Sequence, residues 1–443
     1  MSEAIQALTL EVGSTITKVN GFKRHPEGGF RHAAQGFAPT SITRGDVGLG
    51  VDEAMADLRS RFDGDLDQAE TFVNSSAAGG LRMTVHGLTY GMTARAAKEA
   101  VLGAGALVKM VTAGALGEDQ LEEIREIAPN IVLLAGGVDF GETATVMANA
   151  EKLAALALGV PVLYAGNSAL RRPIQKLFDR AGIELLTADN VFPDVDVLNI
   201  EPLRTLIHDV FSRHIIHAPG MARLGSLTRW GIIPTPGAVL RGAELFAEVL
   251  GDCLVIDVGG ATTDVHSVTD GSREYRDLLV DPEPRAKRTV EGDLGVYVNA
   301  RNIVELSRDP AMEARLADLQ AMPRTEREQA FTQWLCARAV ETGARRHAGT
   351  LTDVFTPTGR KQMVKGKDLT AVSWVVATGG ALTRVEGGEQ SLRSICTGAG
   401  KSLLPRADAR ILMDRDYLFS ALGTMAQAYP DDVKATFARW AQA

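Results

Sequence analysis

Along the first forty residues, apolar and polar positions alternate with a period of two. The runs LTLEV, TITKVNGF and FRHAAQGFA, from Leu8 to Phe37, are separated by Gly, Asn and Pro, and they predict a meander of three strands. Val47, Val51, Met55 and Leu58 then recur near the helical period, so a helix is expected from Asp46 to Arg59. TFVNSS and LRMTVHGL read as strands, a small-residue helix spans about Ala94 to Ala104, and LVKMVTAG reads as the next strand. Beyond Gly117 helices and strands alternate strictly: LEEIREIA, NIVLLAGG, TATVMANAEKLAALAL, PVLYAG, RRPIQKLFDRAG, ELLTAD. Strands written as unbroken apolar runs, each followed by a helix, describe a parallel sheet covered on both faces. We expect this to be an inserted doubly wound domain over residues 118–221, between a first domain at 1–117 and a last at 222–443. The last domain opens with helix AVLRGAELFAEVL and with CLVIDVGGATTDVHSV, two strands around a tight Gly-Gly turn. An Arg/Pro-rich loop (VDPEPRAKRTVEGDLG), helices from Asn299 to His347, a basic hairpin or loop near Thr356 to Lys367, strand AVSWVVATGG and a helical tail ending near Trp440 follow.

Composition narrows the class. A chain of 443 residues exceeds what one core organises, so two or three domains are expected. High glycine (45 residues) with low aromatic content (5 %) fits many tight strand-to-helix turns, hence α/β. The formal charge of −8 repels polyanions, no basic block with interleaved aromatics offsets it, and no stretch reaches the ~18 apolar residues of a membrane span. Neither nucleic acid nor membrane is the expected partner. The start, MSEAIQALTLEVGS, lacks a basic segment followed by a long apolar one, and Cys253, Cys336 and Cys396 lie far apart. The expectation is a cytoplasmic protein with free thiols.

One internal echo carries chemistry. LEVGSTITKV (Leu10 to Val19) laid over IDVGGATTDV (Ile256 to Val265) matches without a gap at Val12/Val258, Gly13/Gly259, Thr17/Thr263 and Val19/Val265. Each segment is an apolar strand, a carboxylate (Glu11, Asp257), a Gly turn with hydroxyls and a second apolar strand. Turns of this kind present backbone N–H groups and hydroxyls as a nest for phosphate oxygens. A carboxylate at the end of the leading strand can hold Mg²⁺ through its waters. Two such turns facing one another would grip one triphosphate from both sides. VVATGGALTRV adds a strand ending in Gly-Gly before a helix, where the nucleoside can lie against bare backbone at Thr378, Gly379, Gly380 and Ala381.

Two hairpin phosphate motifs and a later strand-Gly-Gly-helix motif resemble the actin, sugar kinase and heat-shock chaperone ATPases, whose two ribonuclease-H-like domains close on Mg-ATP. More narrowly, VNSSAAGGLRMTVHGL, NIVLLAGGVDFGE, IDVGGATTDVHSV, TVEGDLGVYVNA, GKDLT before VVATGG, and DRDYLFSALG together resemble the glutamate mutase accessory protein family, from about Leu8 to Leu422. That family is unrelated to the mismatch-repair proteins that share its other name. The resemblance implies two actin-type ATPase domains, ATP and Mg²⁺ as cofactors, and adenosylcobalamin-dependent mutase subunits as partners. The implied role is an ATP-driven reactivating chaperone that helps damaged cobalamin leave the mutase. It places Glu11 and Asp257 as catalytic and metal-organising residues. Nucleotide contacts fall on Gly13, Ser14, Thr15 and Lys18, on Gly259, Gly260, Thr262, Thr263 and Asp264, and on Thr378, Gly379, Gly380 and Ala381. Glu11 departs from the Asp usual at its position; a carboxylate moved by roughly an ångström can slow hydrolysis, so a weak ATPase or a binding switch both remain open.

Other patterns fall short. Gly400-Lys401-Ser402 mimics the end of a P-loop, but Ile395 stands where its first Gly belongs. His208, His214 and His217 share a helix without a carboxylate spaced to complete a zinc site. Asp264-Val265-His266 has Thr269 where a cobalt-ligating D-x-H-x-x-G pattern needs Gly. Asp139 and Glu142, after a strand end, read as ligand contacts or, more simply, helix caps, and Arg285, Lys287 and Arg288 as phosphate neighbours or, more simply, a solvated face. Rival functions on the same fold are a small-molecule kinase or ATP-dependent amidohydrolase, and a nucleotide-gated adaptor without catalysis.

Overall fold

In the computed structural model, residues 4–76, 81–215, 220–356, 359–398 and 400–440 are described; His217 and residues 77–80 of the VNSSAAGGLRMTVHGL run lie outside them. The strands in chain order are β1 (Ala7–Val12), β2 (Ile16–Arg24), β3 (Phe30–Pro39), β4 (Glu70–Ser75), β5 (Arg82–Gly87), β6 (Leu107–Ala113), β7 (Ile131–Leu134), β8 (Val162–Tyr164) and β9 (Leu185–Thr187). Then follow β10 (Ile232–Pro234), β11 (Cys253–Val258), β12 (Thr263–Val268), β13 (Ala286–Glu291), β14 (Thr350–Thr356), β15 (Gly359–Lys365), β16 (Trp374–Thr378) and β17 (Arg410–Met413).

The chain divides into two compact units, one formed by Met1–Ala78 with Ile215–Ala443, the other by Gly79–His214. The first unit holds two five-stranded sheets of the same design: β3-β2-β1-β4-β10 and β13-β12-β11-β16-β17. In each, three antiparallel strands are joined to two parallel ones. This strand order, occurring twice, is that of the ribonuclease-H-like domain pair of the actin-type ATPases, as the sequence led us to expect. Leu254, Ile256 and Val258 on one face of β11 pack with the helices Ala300–Ser307 and Glu326–His347. Cys253 and Val255 on the other face join a second core with Ala7, Phe22 and Phe72 of the first sheet and with the helices Thr235–Leu250 and Leu418–Met425. Those two helices cross closely: a Cβ on Gly423 would lie 1.8 Å from the Ala238 carbonyl. That crossing carries the C-terminal segment to the strand ends of β1.

The second unit is a single parallel sheet, β6-β5-β7-β8-β9. Its boundaries correct the sequence-based division. LRMTVHGL and LVKMVTAG, expected in the first domain, are β5 and β6 of this sheet, so the unit begins near residue 79 rather than 118 and ends at 214 rather than 221. The physical reason is pairing: β5 is buried on both faces from Met83 onward and lies between β6 and β7, a place only a parallel-sheet strand can take. The Arg/Pro-rich stretch likewise contains a strand, β13, paired antiparallel with β12.

Candidate functional site

The two echoing segments fold as hairpins of one register. In the first, Glu11 lies opposite Lys18 and Val12 opposite Thr17, and the Gly13 N–H donates to the Ile16 carbonyl at 3.1 Å. In the second, Asp257 lies opposite Asp264 and Val258 opposite Thr263, and the Gly259 N–H donates to the Thr262 carbonyl at 2.9 Å. Because side chains alternate along a strand, Glu11 shares the face of Ala7, and Asp257 that of Cys253 and Val255. Both carboxylates therefore open on the space between the two sheets. The turns meet there: a Cβ on Gly260 would lie 3.1 Å from Thr15 Oγ1. The strand-Gly-Gly motif arrives at the same place, since Gly379, at φ +86°, passes so close that a Cβ would sit 2.5 Å from Asp257 Oδ1.

The charges are unevenly distributed. Lys18 Nζ donates to Glu11 Oε1 at 2.6 Å and sits 4.0 Å above the ring of Tyr417. Burial works against the Lys18 ammonium, but Glu11, Tyr417 and Asp257 outweigh it and hold its pKa above the ordinary lysine value. The other oxygen of Glu11 accepts the Ser420 hydroxyl proton. The second hairpin has an acid where the first has Lys18, and burial together with Asp264 pushes the half-buried Asp257 carboxyl up to about 7. Asp264 is held by Arg288, through Nε at 2.8 Å and Nη2 at 2.5 Å, and Arg288 itself is fully buried. Asp414, buried and pushed up to about 6 by that burial, accepts from the N–H groups of Leu418 (2.7 Å) and Phe419 (3.1 Å) and from Thr378 Oγ1 (2.9 Å).

All the residues read as site candidates from sequence gather in this region, with different availability. Ser14 is exposed, while Thr15, Gly259, Gly260 and Thr262 are partly open. Thr263 and Thr378 are buried, with their hydroxyls given to the Leu294 carbonyl (2.7 Å) and to Asp414, so they brace the site rather than face a ligand. Ala381 lies in the short helix Gly380–Arg384, and a Cβ on Gly380 would meet Tyr417 Oη at 2.7 Å. Asp293, in TVEGDLGVYVNA, is paired by Arg346 through both oxygens at 2.7 and 2.9 Å, which holds its carboxyl below the usual range. Arg288, read from sequence only as one of a basic group, belongs to the site; Asp414, Tyr417 and Ser420, all within DRDYLFSALG, also belong to it and were not singled out by sequence. The basic trio divides: Arg285 is exposed and pairs with Asp252 at 3.2 Å and with Asp270, as a solvated residue would, whereas Lys287, paired with Glu283 at 2.9 Å, is largely covered and Arg288 is buried.

A divalent cation fits this donor set. Glu11, Asp257, Asp264 and Asp414 outnumber Lys18 and Arg288, and burial together with the neighbouring Asp264 raises the Asp257 pKa. Among the described residues, no three His, Cys, Asp or Glu side chains converge as a metal site. Mg²⁺, if held here, would take one or two of these carboxylates and complete its shell with water and substrate oxygens.

Over residues 7–440 the chain matches the family described as MutL protein. It is 34 % identical over 450 residues to Protein MutL of Clostridium tetanomorphum, covering 96 % of each chain. Among solved structures, the nucleotide-free acetone carboxylase aligns at 13 % identity and a TM-score of 0.41, over 95 % of this chain and 70 % of that one. A glycerol dehydratase reactivase aligns at 9 % identity and a TM-score of 0.37, over 95 % and 100 %. The extent of the first two matches decides the assignment: the chain belongs to the MutL protein family.

Proposed function

We propose that the protein is an ATP-binding accessory chaperone that reactivates an adenosylcobalamin-dependent mutase by promoting release of damaged cobalamin. The observation that carries this reading is the meeting of the duplicated turns, with Thr15 Oγ1 3.1 Å from a Cβ position on Gly260 and Gly379 against Asp257. On this reading the turn N–H groups and the hydroxyls of Ser14, Thr15 and Thr262 receive the phosphates, and the bare backbone at Gly379 and Gly380 receives the nucleoside. Asp257 would hold Mg²⁺, which when bound supplies neutralisation of phosphate charge. Lys18 holds Glu11 in place through its 2.6 Å hydrogen bond. Nucleotide drives a conformational change only through differential affinity for two states, and nearly complete switching takes roughly 5.5 kcal/mol of preference.

A second reading is favoured by one contact set: Glu11, engaged by both Lys18 and Ser420, is not free to orient water. The protein is then a nucleotide-gated switch that binds ATP and scarcely hydrolyses it. Phosphate release from Mg-ATP with and without purified mutase, alongside thermal stability with and without Mg-ATP, tests both. A chaperone releases phosphate faster when inactivated mutase is present, and a switch shows the thermal upshift with little release. Absence of any upshift, or an upshift that persists in Asp257→Asn, overturns the nucleotide site.

A further inference from the structure

The unit Gly79–His214 is a parallel sheet whose order reverses at β5: β6 lies on one side, and β7, β8 and β9 follow on the other. In such sheets, ligands and partners approach the carboxyl ends of the strands at the reversal point. The exposed large apolar side chains described in this unit are all on that edge. Tyr90 (66 % exposed) follows β5, Phe140 (84 %) follows β7, and Val195 (61 %) and Val197 (46 %) follow β9.

Phe140 is held out by a rigid loop. Its φ of +62° is unfavourable for an aromatic residue, and its N–H donates at 2.9 Å to Oδ1 of Asn167, which is fully buried. Asn190, also buried, donates to the Gly137 carbonyl at 3.0 Å and to Asp139 Oδ1 at 2.9 Å. Asp139 accepts from the Ser168 N–H at 2.8 Å, and its own N–H reaches the Pro193 carbonyl at 2.9 Å, joining the loops that bear Phe140 and Val195. Asp139 is therefore a brace within this edge, and Glu142 caps the following helix through the Thr145 N–H.

The charge around the apolar group is mainly negative. Residues 88–94, 114–117, 135–143, 165–170 and 188–200, which follow the strands, carry five carboxylates (Asp139, Glu142, Asp189, Asp194, Asp196) and no lysine or arginine. Arg95, Arg171 and Arg172 open the helices that follow on this edge, and Arg171 pairs with Asp189 at 2.7 Å. The net charge is still negative, which disfavours a phosphate-bearing ligand, nucleic acid or anionic lipid. A protein pocket lined by apolar groups and ringed by Lys and Arg is complementary to it.

We infer that this edge is a preformed protein-docking face with Phe140 as its anchor, and that its partner offers an apolar pocket with a basic rim. Aromatic side chains fixed before binding and surrounded by polar groups are the residues on which interface affinity concentrates. The inference rests on the proposed function in taking the cobalamin-dependent mutase as the partner that carries this pocket.

The test measures binding of the purified full-length protein to the purified mutase by biolayer interferometry, with Mg-ATP stabilisation followed on the same samples. Phe140→Asn removes the ring while Asn tolerates the left-handed backbone. It is expected to weaken binding about 30-fold with an unchanged melting temperature. Glu142→Gln with Asp196→Asn is expected to slow association roughly 5-fold, and raised salt should slow it in the wild type. Val195→Ser is the second probe of the apolar group, outside the Phe140 loop, with an expected loss of roughly 5-fold. Wild-type affinity in Phe140→Asn and Val195→Ser overturns the docking face and leaves the nucleotide reading standing. Equal binding to phosphatidylserine vesicles or duplex DNA also overturns it. A wild-type protein stabilised by Mg-ATP that does not bind the mutase overturns both this inference and the mutase as partner.

Discussion

Gly379 is the point where the nucleoside motif and the second hairpin come closest, and replacing it with alanine gives the sharpest test of the site. An alanine Cβ would lie 2.5 Å from Asp257 Oδ1, 2.5 Å from the Val258 carbonyl oxygen and 2.9 Å from the Val258 nitrogen. The Asp257 oxygen ends a short flexible side chain and can move. The Val258 atoms cannot: they are backbone of β11, a central strand paired with β12 on one side and β16 on the other. Ordinary carbon contacts begin near ~3.5 Å, so the strand or the Gly379 turn must yield by about 1 Å. Overpacking of this kind costs roughly 1–3 kcal/mol, and a φ of +86° adds about 1–2 kcal/mol for any residue with a Cβ. The sum, about 2–5 kcal/mol, lowers the melting temperature on the order of 10 °C. Displacing the Asp257 carboxylate by about 1 Å should also weaken Mg-ATP binding or turnover by about 100-fold. Gly380→Ala is the internal control. There the added Cβ meets only Tyr417 Oη at 2.7 Å, the far end of a side chain, so a loss near 1 kcal/mol is expected. Calorimetric melting and isothermal titration with Mg-ATP read both effects. Gly379→Ala melting and binding as the wild type does, or Gly380→Ala proving the more harmful, would refute this placement of the motif.

Three further outcomes follow from buried groups. Thr9 Oγ1, on β1 beneath the site, is buried without a hydrogen-bond partner, so Thr9→Val should raise the denaturation free energy by about 1 kcal/mol; a lower urea midpoint would contradict this. His86 is buried between Thr112 (2.8 Å) and Thr84 (3.0 Å), and burial lowers its pKa to about 4. The unfolded chain, with an ordinary His pKa of about 6.5, then binds the extra proton between these values. Stability is greatest above pH 6.5 and falls by about 3 kcal/mol as pH drops to 4, a loss that denaturation curves of His86→Gln should lack; parallel curves would sink the assignment. Cys253, Cys336 and Cys396 are buried, with thiol pKa values raised by that burial, to about 12 for Cys336 and about 11 for Cys396. Ellman's reagent should find no fast-reacting thiol in the native protein and all three in guanidinium, and a rapid native equivalent would count against the packing.

The hairpins could be read from sequence because their signal is local. Strand alternation, a two- or three-residue turn and a hydroxyl-rich loop all fall within ten residues, and counting back from the turn places Lys18 opposite Glu11 and Asp264 opposite Asp257. Arg288, Asp414, Tyr417 and Ser420 reach the same point from other elements, and nothing in their own neighbourhoods says where those elements dock. Arg288 was legible only as one of three basic residues that could neighbour the phosphates or face solvent; what decides between these is the buried Asp264 opposite it. The misplaced unit boundary has a similar cause. A strand pattern reports that a strand exists, not which sheet it joins, so LRMTVHGL and LVKMVTAG read as strands of the first domain; only the double-sided burial of Met83 to Gly87 reveals a parallel sheet.

The duplicated hairpins have not kept duplicate electrostatics, and the difference assigns the work within the site. In the first, a carboxylate faces an ammonium across the strand pair, 2.6 Å apart, and the pair is nearly self-sufficient. In the second, two carboxylates face each other directly, an arrangement that destabilises a ladder unless something offsets it. Arg288 offsets half, by binding Asp264, and burial together with the repulsion left over raises the Asp257 pKa to about 7, partly protonated near neutrality. A hydrophobic or basic residue at either position would have relieved the repulsion within the chain. Because the chain instead keeps the unbalanced carboxylate, at the turn where Thr15, Gly260 and Gly379 converge, the missing positive charge is best supplied from outside. On the proposed reading, a cation arriving with an anionic ligand would restore the balance and favour the state in which the two turns are closest, coupling binding at this site to the geometry of the two sheets.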